Sequence, residues 1–314
     1  MIDLGGTFNR NLRLTGCGGG DVVLRVYRPW VTAGRLATLR AIRQRLADHG
    51  LPIPQPLPLD HGQLAGPLGA RLAELEPFVA SDGGTDSWAR ANVAAGLLGQ
   101  LHGALADWRP PVPVVPPRVH TALPEATLRR WLLRTGEVTR AGIRHARRDE
   151  AMATLTMAGR VLDAISAVEP VPVPHQLTHG DYGHDNLRFR CGTPVALLDL
   201  DFAGVRPRVA DLADLAFSPH WMPSFGQLGF PPGRRDWSRV RDLIRHYDAA
   251  IGQPLSREEV TALPVLMTRL PVAWAAMGWL IADPVSAVAD LAGELDTAAW
   301  LLTHRGELAR SWQT

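Results

Sequence analysis

The stretch from Leu177 to Asp211, LTHGDYGHDNLRFRCGTPVALLDLDFAGVRPRVAD, constrains this chain more than any other part of it. His179-Gly180-Asp181 is followed by Asn186 five positions after the aspartate. A hydrophobic run, Val195 to Leu198, then delivers Asp199 at its end, with Asp201 two residues on. Read singly, HGD is an ordinary turn and the later acids are solvated loop residues. Taken in order, an acid, an amide, a strand and paired carboxylates make a layout suited to moving a phosphoryl group.

The spacing has a physical reason. Phosphoryl transfer asks for positioning and charge neutralisation more than for covalent chemistry. A carboxylate within hydrogen-bond reach of an acceptor hydroxyl suits Asp181. Magnesium takes hard oxygen ligands, which the Asn186 amide oxygen and the Asp199 carboxylate can supply without a dedicated cage. If the strand continues past Asp199, Asp201 lies on the same face and is a candidate second metal ligand.

At this point the chain resembles the aminoglycoside phosphotransferase family, with its choline-kinase-like and homoserine-kinase-like relatives. LTHGDYGHDNLRF…VALLDLDFAG is similar to that family's catalytic loop and metal strand. Glycine stands where protein kinases have the arginine of H-R-D, and Asp-Leu-Asp where they have Asp-Phe-Gly. The resemblance implies an α+β, two-lobed protein-kinase-like fold. Residues 1–80 would form a small antiparallel nucleotide-binding β lobe with one helix, and residues 81–314 a mainly helical lobe with the catalytic loop and substrate pocket. It also implies that Asp181 is the catalytic aspartate and that Asn186 and Asp199 are magnesium ligands. Asp211, in RVADLADLA, matches the aspartate that braces the catalytic loop, and His179 is grouped with these as catalytic. The resemblance is specific only between residues 177 and 216 and weak over the rest.

The first eighty residues read as strands and turns. Gly5-Gly6-Thr7-Phe8-Asn9-Arg10-Asn11 precedes alternating Leu12 and Leu14, and a turn at Gly16 to Gly20 leads to the strand Val22 to Tyr27. The second glycine cluster joins two strands without opening a helix, so a dinucleotide-binding reading fails. By resemblance, Gly5, Gly6, Asn9 and Arg10 belong to the loop that covers the phosphates. There is no lysine in the chain, so all 33 basic residues are arginine. By the same resemblance, Arg25 stands where kinase-like folds place their phosphate-pairing lysine, and it faces either the cleft or solvent. The helix expected over 33–49 carries Leu36, Leu39, Ile42 and Leu46 at helical spacing, and Gly50 closes it. Its only acid is Asp48, so the usual helix glutamate is missing, and Arg25 either stands unpaired or finds a carboxylate elsewhere. Residues 55–59 and 70–78 read as strands, and Glu74, Glu76 and Phe78 fall where a kinase hinge would read adenine.

Beyond Ser81-Asp82-Gly83-Gly84 the pattern is mainly helical, with apolar stripes over 88–106, an expected core histidine at His102 and an arginine-rich region over 123–168. Those arginines read as a solvated face before an anion site. Ser256-Arg257-Glu258-Glu259 reads as a capping box. His220, Trp221, Met222 and Phe225 give an expected acceptor rim that is aromatic and neutral. Cys17 and Cys191 lack metal-ligand spacing and read as free thiols. The start lacks a signal-peptide pattern, the apolar run Val272 to Ala282 is short of a span, and the net charge of +2 gives no case for nucleic acid. The expectation is a cytoplasmic enzyme using Mg2+ and ATP, or GTP, to phosphorylate a hydroxyl of a small molecule, such as an antibiotic, a nucleoside or an amino alcohol. The competing expectation is a nucleotide-binding scaffold without turnover, suggested by Arg25 and the missing helix glutamate.

Overall fold

A computed structural model describes residues 1–16, 19–227 and 229–313. Among these, the strands β1 (Ile2–Asp3), β2 (Arg10–Leu14), β3 (Val22–Val26), β4 (Gly66–Leu68) and β5 (Arg71–Pro77) form one antiparallel sheet. Its order is β1-β2-β3-β5-β4. Cys17 and Gly18, in the expected hairpin turn between β2 and β3, lie outside the described residues.

Between β3 and β4 runs α1 (Ala33–Asp48), which buries Leu36, Leu39, Ile42 and Leu46. The Thr32 hydroxyl accepts the Arg35 N–H at its start, and Gly50 at φ 77° follows its end. The strand expected over 55–59 does not form. Leu57 alone bridges Leu75, because Pro54, Pro56 and Pro58 remove the donors that a ladder needs.

The rest is mainly helical: α2 (Trp88–Leu105), α3 (Glu125–Ala141) and α4 (Arg148–Ser166) precede the stretch that carries the site. That stretch holds β6 (His175–Thr178), β7 (Leu187–Arg190), β8 (Thr193–Leu197) and β9 (Gly204–Pro207), with β6 paired to β9 and β7 to β8. Then follow α5 (Val209–Phe217), α6 (Arg239–Ala250), α7 (Arg257–Met277), α8 (Pro284–Ala289) and α9 (Ala292–Trp312). The capping box forms at Ser256 and Glu259, and Glu259 also accepts from the buried Arg208 Nε at 2.6 Å.

One buried cluster runs from Tyr27 and the apolar face of α1 through Leu98 and Leu101 to Leu212 and Leu243. A second lies among α3, α4, α7, α8 and α9 and includes Phe202. The stretch Arg257–Leu280 is long and apolar enough to cross a membrane by length and composition, counting the turn after α7. However, 67% of its apolar window is buried inside the protein, against neighbours that include α3, α5 and α9. On α3 and α4, Arg129 pairs with Glu125 and Asp163, Arg134 with Glu137, and Arg147 with Glu150 and Asp290. These arginines form the solvated face that the pattern suggested, and ion pairs hold several of them there.

Candidate active site

The loop after β6 is held in place by α5. Asp211, fully buried in the first turn of α5, accepts the His179 N–H at 2.7 Å on Oδ2 and the Gly180 N–H at 2.8 Å on Oδ1. His102 Nε2 reaches the same carboxylate at 3.2 Å, and its Nδ1 meets the Tyr247 hydroxyl at 2.8 Å. His102 is thus the core histidine expected, with both ring nitrogens bound to side chains. A carboxylate only accepts, so His102 carries its proton on Nε2 and takes the tyrosine proton at Nδ1. Burial alone would raise the Asp211 carboxyl, but the hydrogen bond from His102 and the charge of Arg206 hold it below the ordinary range.

Gly180 takes a left-handed φ of 86°, and a Cβ there would lie 2.6 Å from Arg206 Nη1. Only glycine fits this turn. His179, grouped by resemblance with the catalytic residues, does not reach the cleft. Its buried ring donates from Nε2 to the Leu198 carbonyl at 2.9 Å and accepts the Asp181 N–H at Nδ1, 3.3 Å away. Burial keeps the ring neutral, and it fastens the loop to the chain after β8.

Asp181 does line the cleft. Burial first, and then the charge of Asp199, push its carboxyl up to about 7. Asn186 donates from Nδ2 to the Asp181 backbone oxygen at 2.8 Å and to Oδ2 at 3.1 Å. With its amide nitrogen spent there, Asn186 has its oxygen left for a cation. The strand does not continue to Asp199 as expected. β8 ends at Leu197, Asp199 sits at a left-handed φ of 57°, and a turn of 3-10 helix over Leu200–Phe202 brings Asp201 round. The two carboxylates still converge, now on one guanidinium. Arg25 Nη2 lies 2.5 Å from Asp199 Oδ1 and 3.2 Å from Asp201 Oδ1. Asn9 Nδ2 donates to the other oxygen of Asp201. Among the described residues no group of three or more His, Cys, Asp or Glu side chains could hold a metal. The oxygen donors for a hard cation are thus two carboxylates and one amide, which fits magnesium bound through few protein ligands and phosphate.

The charges under the sheet are reversed from those expected. Acids lie on β5 and cations on α1. Glu74 accepts from the Tyr27 hydroxyl at 2.6 Å, Arg40 Nε at 2.7 Å and Arg43 Nη1 at 3.3 Å. Glu74, expected at the nucleotide, is 1% exposed and does not line the cleft, because the two α1 arginines draw it beneath the helix. Glu76 lines the cleft, with its carboxylate 2.9 Å from Arg43 Nη2. Gly5 and Gly6 line it too, and a Cβ on Gly6 would meet the Asn9 carbonyl at 2.7 Å. Arg10 does not: strand alternation turns it outward, 67% exposed and 3.8 Å from Asp3. The same alternation turns Asn11 and Arg13 inward with Asn9, and Arg13 lies 3.9 Å from the centre of the Phe78 ring, which lines the cleft. Neither Asn11 nor Arg13 was singled out, although the period of two contained both.

The cleft encloses about 1040 Å³ and extends from the glycine loop to α5, α7 and α9. Of the expected rim, Trp221 and Met222 line it, whereas His220 and Phe225 are buried against other aromatic rings. The rim also carries acids that the expectation did not include. Asp214 of α5 and Glu294 of α9 line it as well. Asp214 accepts the Tyr182 N–H, and burial followed by the charges of Asp211 and Asp181 raises its carboxyl. Burial and then Asp290 push Glu294 up to about 7. Trp221 packs on the first turn of α9, 3.4 Å from where a Gly293 Cβ would sit, and Trp274 stacks on Phe8. Glu294 left no local signal, since tertiary packing alone brings α9 to the cleft.

An antiparallel sheet with one helix, joined to a helical body by a cleft over a braced HGD loop, is a two-lobed α+β protein-kinase-like fold. Residues 3–243 match the phosphotransferase enzyme family, APH, and the chain belongs to that family of small-molecule phosphotransferases. A homoserine kinase of Acidiphilium cryptum (strain JF-5) is 28% identical over 268 residues, covering 82% of this chain and 72% of that one. Two solved structures share the fold at lower identity. A microcompartment-associated aminopropanol kinase has a TM-score of 0.70 at 16% identity, covering 97% of this chain and 93% of that one. Amicoumacin kinase hAmiN in complex with AMP-PNP, Ca2+ and Ami has a TM-score of 0.65 at 12% identity, covering 98% and 87%.

Proposed function

We propose that this chain transfers the terminal phosphoryl group of a magnesium-bound nucleoside triphosphate, ATP or GTP, to the hydroxyl of a small amino alcohol. The nucleotide would lie under the β lobe, residues 1–80, and the acceptor in the helical lobe, residues 81–314. The observation that carries this reading is the convergence, in one cleft, of Asp181, the Asn186–Asp199–Asp201 oxygen set and Arg25, with Glu294 among aromatic rings farther along. Asp181 takes the proton of the acceptor hydroxyl. The hydroxyl oxygen of the acceptor bonds to the terminal phosphorus as the bond to the bridging oxygen breaks, and the nucleoside diphosphate leaves. The divalent ion, when bound to Asn186, Asp199 and Asp201, supplies neutralisation of phosphate charge. His179 and Asp211 act as positioning residues, holding Asp181 through the loop backbone.

The acceptor class follows from Glu294. Among the described residues no cation pairs with Glu294, whose shift comes from burial and Asp290, and a ligand ammonium would supply one. Trp221 and Trp274 present apolar faces suited to the carbon skeleton. The aminopropanol and homoserine kinases it is similar to are named for amino alcohols, which supports the same class here. The test incubates the full chain with Mg2+ and radiolabelled ATP or GTP, and with aminopropanol, ethanolamine, homoserine, nucleosides or an aminoglycoside. Transfer to an amino alcohol is expected. Transfer to uncharged nucleosides alone would overturn the acceptor class, and nucleotide binding without transfer to any acceptor would favour a scaffold.

A further inference from the structure

Every carboxylate near Arg25 is accounted for. Across the sheet its register partner is Glu74, yet Glu74 is held by Tyr27, Arg40 and Arg43. Glu76 faces Arg43, and Asp48, the acid of α1, accepts from Gln44 at 2.8 Å. Arg25 is left with Asp199 and Asp201, the same two carboxylates that offer oxygen to a metal. It is 5% exposed, and its Nε is buried without an acceptor while the side chain lines the cleft. Among the described residues Arg25 thus has no ion-pair partner outside the candidate metal site, with the Tyr27 ring 5.5 Å off and the Glu76 charge beyond pairing distance, and its Nε is a donor without an acceptor.

We propose that the Arg25 guanidinium is the resident counter-ion of the metal site, holding Asp199 and Asp201 together until a divalent cation arrives with the nucleotide. This rests on the phosphotransferase reading above. A metal ion entering alone would have to displace the guanidinium and leave it buried and unpaired, which is strongly unfavourable. A metal–triphosphate complex removes that obstacle, because the phosphate oxygens receive the fork that the aspartates release. Free metal is thus nearly excluded from the nucleotide-free protein. Metal and nucleotide raise each other's affinity, and the coupling is the same in both directions. The arrangement depends on the reversed charges of this chain. Acids on β5 are consumed by arginines on α1, so Arg25 is thrown onto the metal's own ligands.

The test measures Mn2+ binding to the full chain by the electron paramagnetic resonance signal of free Mn2+, with and without AMP-PNP. For the wild type, Mn2+ alone should bind weakly, and AMP-PNP should tighten it about a hundredfold or more, the upper range of ordinary coupling. Arg25→Met removes the charge while keeping the length, and should bind Mn2+ alone at least about tenfold more tightly, with the gain from AMP-PNP cut to under about tenfold. Arg25→Lys, which keeps the charge but loses the fork, should fall between the two. If the methionine variant folds only with metal, Mn2+ alone should raise its Tm while leaving the wild-type Tm unchanged, and the lysine variant supplies the affinity comparison. Metal-only binding in the lysine or methionine variant that is no tighter than wild type would overturn the proposal. Tight Mn2+ binding by the wild type without nucleotide would also overturn it. A wild type that never binds AMP-PNP with Mn2+ would instead sink the phosphotransferase reading.

Discussion

Asp211 Oδ1 accepts the Gly180 N–H at 2.8 Å, so the residue before Asp181 is fixed from the first turn of α5, thirty-one positions away in sequence. The same carboxylate takes the His179 N–H and faces His102. Replacing Asp211 by Asn keeps the shape but turns an amide donor towards one of these N–H groups. Asp211→Asn should lower stability by about 1–3 kcal/mol, the cost of leaving a buried donor unmet. It should also lower kcat roughly 10²-fold by misplacing Asp181. The charge also predicts a pH effect. The folded Asp211 pKa is depressed, so its stabilisation is complete above the unfolded aspartate value of about 3.9 and fades as pH falls through the folded value. Denaturation midpoints measured down the pH scale should show this acid loss in the wild type and less of it in the variant.

Gly180→Ala makes a separate demand on the same loop. The left-handed φ of 86° costs a residue with a Cβ about 1–2 kcal/mol. The new methyl would also press on the Arg206 guanidinium and the Phe202 carbonyl. Tm and kcat should both fall, while nucleotide affinity, set on the other side of the cleft, changes little. A variant with wild-type kcat would mean that the loop has room the structure does not show.

The catalytic stretch was legible because its chemistry is local. Asp181, Asn186 and Asp199 lie within nineteen residues, joined by one loop and one hairpin, and all three line the cleft. The helix and strand periods also placed α1, α2 and β3 closely. What failed was long-range pairing. Nothing in the sequence says that Glu74 belongs to Arg40 and Arg43 rather than to the nucleotide. The outward turn of Arg10 was readable from the alternation about Asn9, but the glycine-loop reading overrode it. The apolar run predicts a strand ending at Asp199, where the backbone instead makes a left-handed turn. Glu294, on α9, became visible only once that helix was packed against Trp221.

Asp181→Asn tests the base directly. The amide keeps the size and can still meet Asn186, but it cannot take a proton from the acceptor. kcat should drop about 10²–10⁴-fold. Nucleotide Kd, measured by calorimetry with AMP-PNP and Mg2+, should barely change, because Asp181 belongs to the acceptor step. A variant with near wild-type turnover would remove Asp181 from the mechanism.

Glu294 is the residue by which the proposed acceptor class can be tested. Its carboxyl is pushed up to about 7 by burial and then by Asp290, and it lines the cleft with Trp221 and Trp274. The ionised form is the one that attracts an ammonium, so an amino alcohol should bind well above pH 7. Below that pH, kcat/KM for the acceptor should fall by up to about tenfold per unit as Glu294 takes a proton. Glu294→Gln removes one charge-assisted contact of roughly 1.5–3 kcal/mol and should raise the acceptor KM by about one to two decades. The variant should also lose the part of the acid fall that belongs to Glu294. A neutral diol acceptor provides the control, since its KM should respond neither to pH in this range nor to the substitution. If Glu294→Gln alters the diol and the amino alcohol equally, the carboxylate shapes the pocket without reading the ammonium. The cationic acceptor class then loses its support.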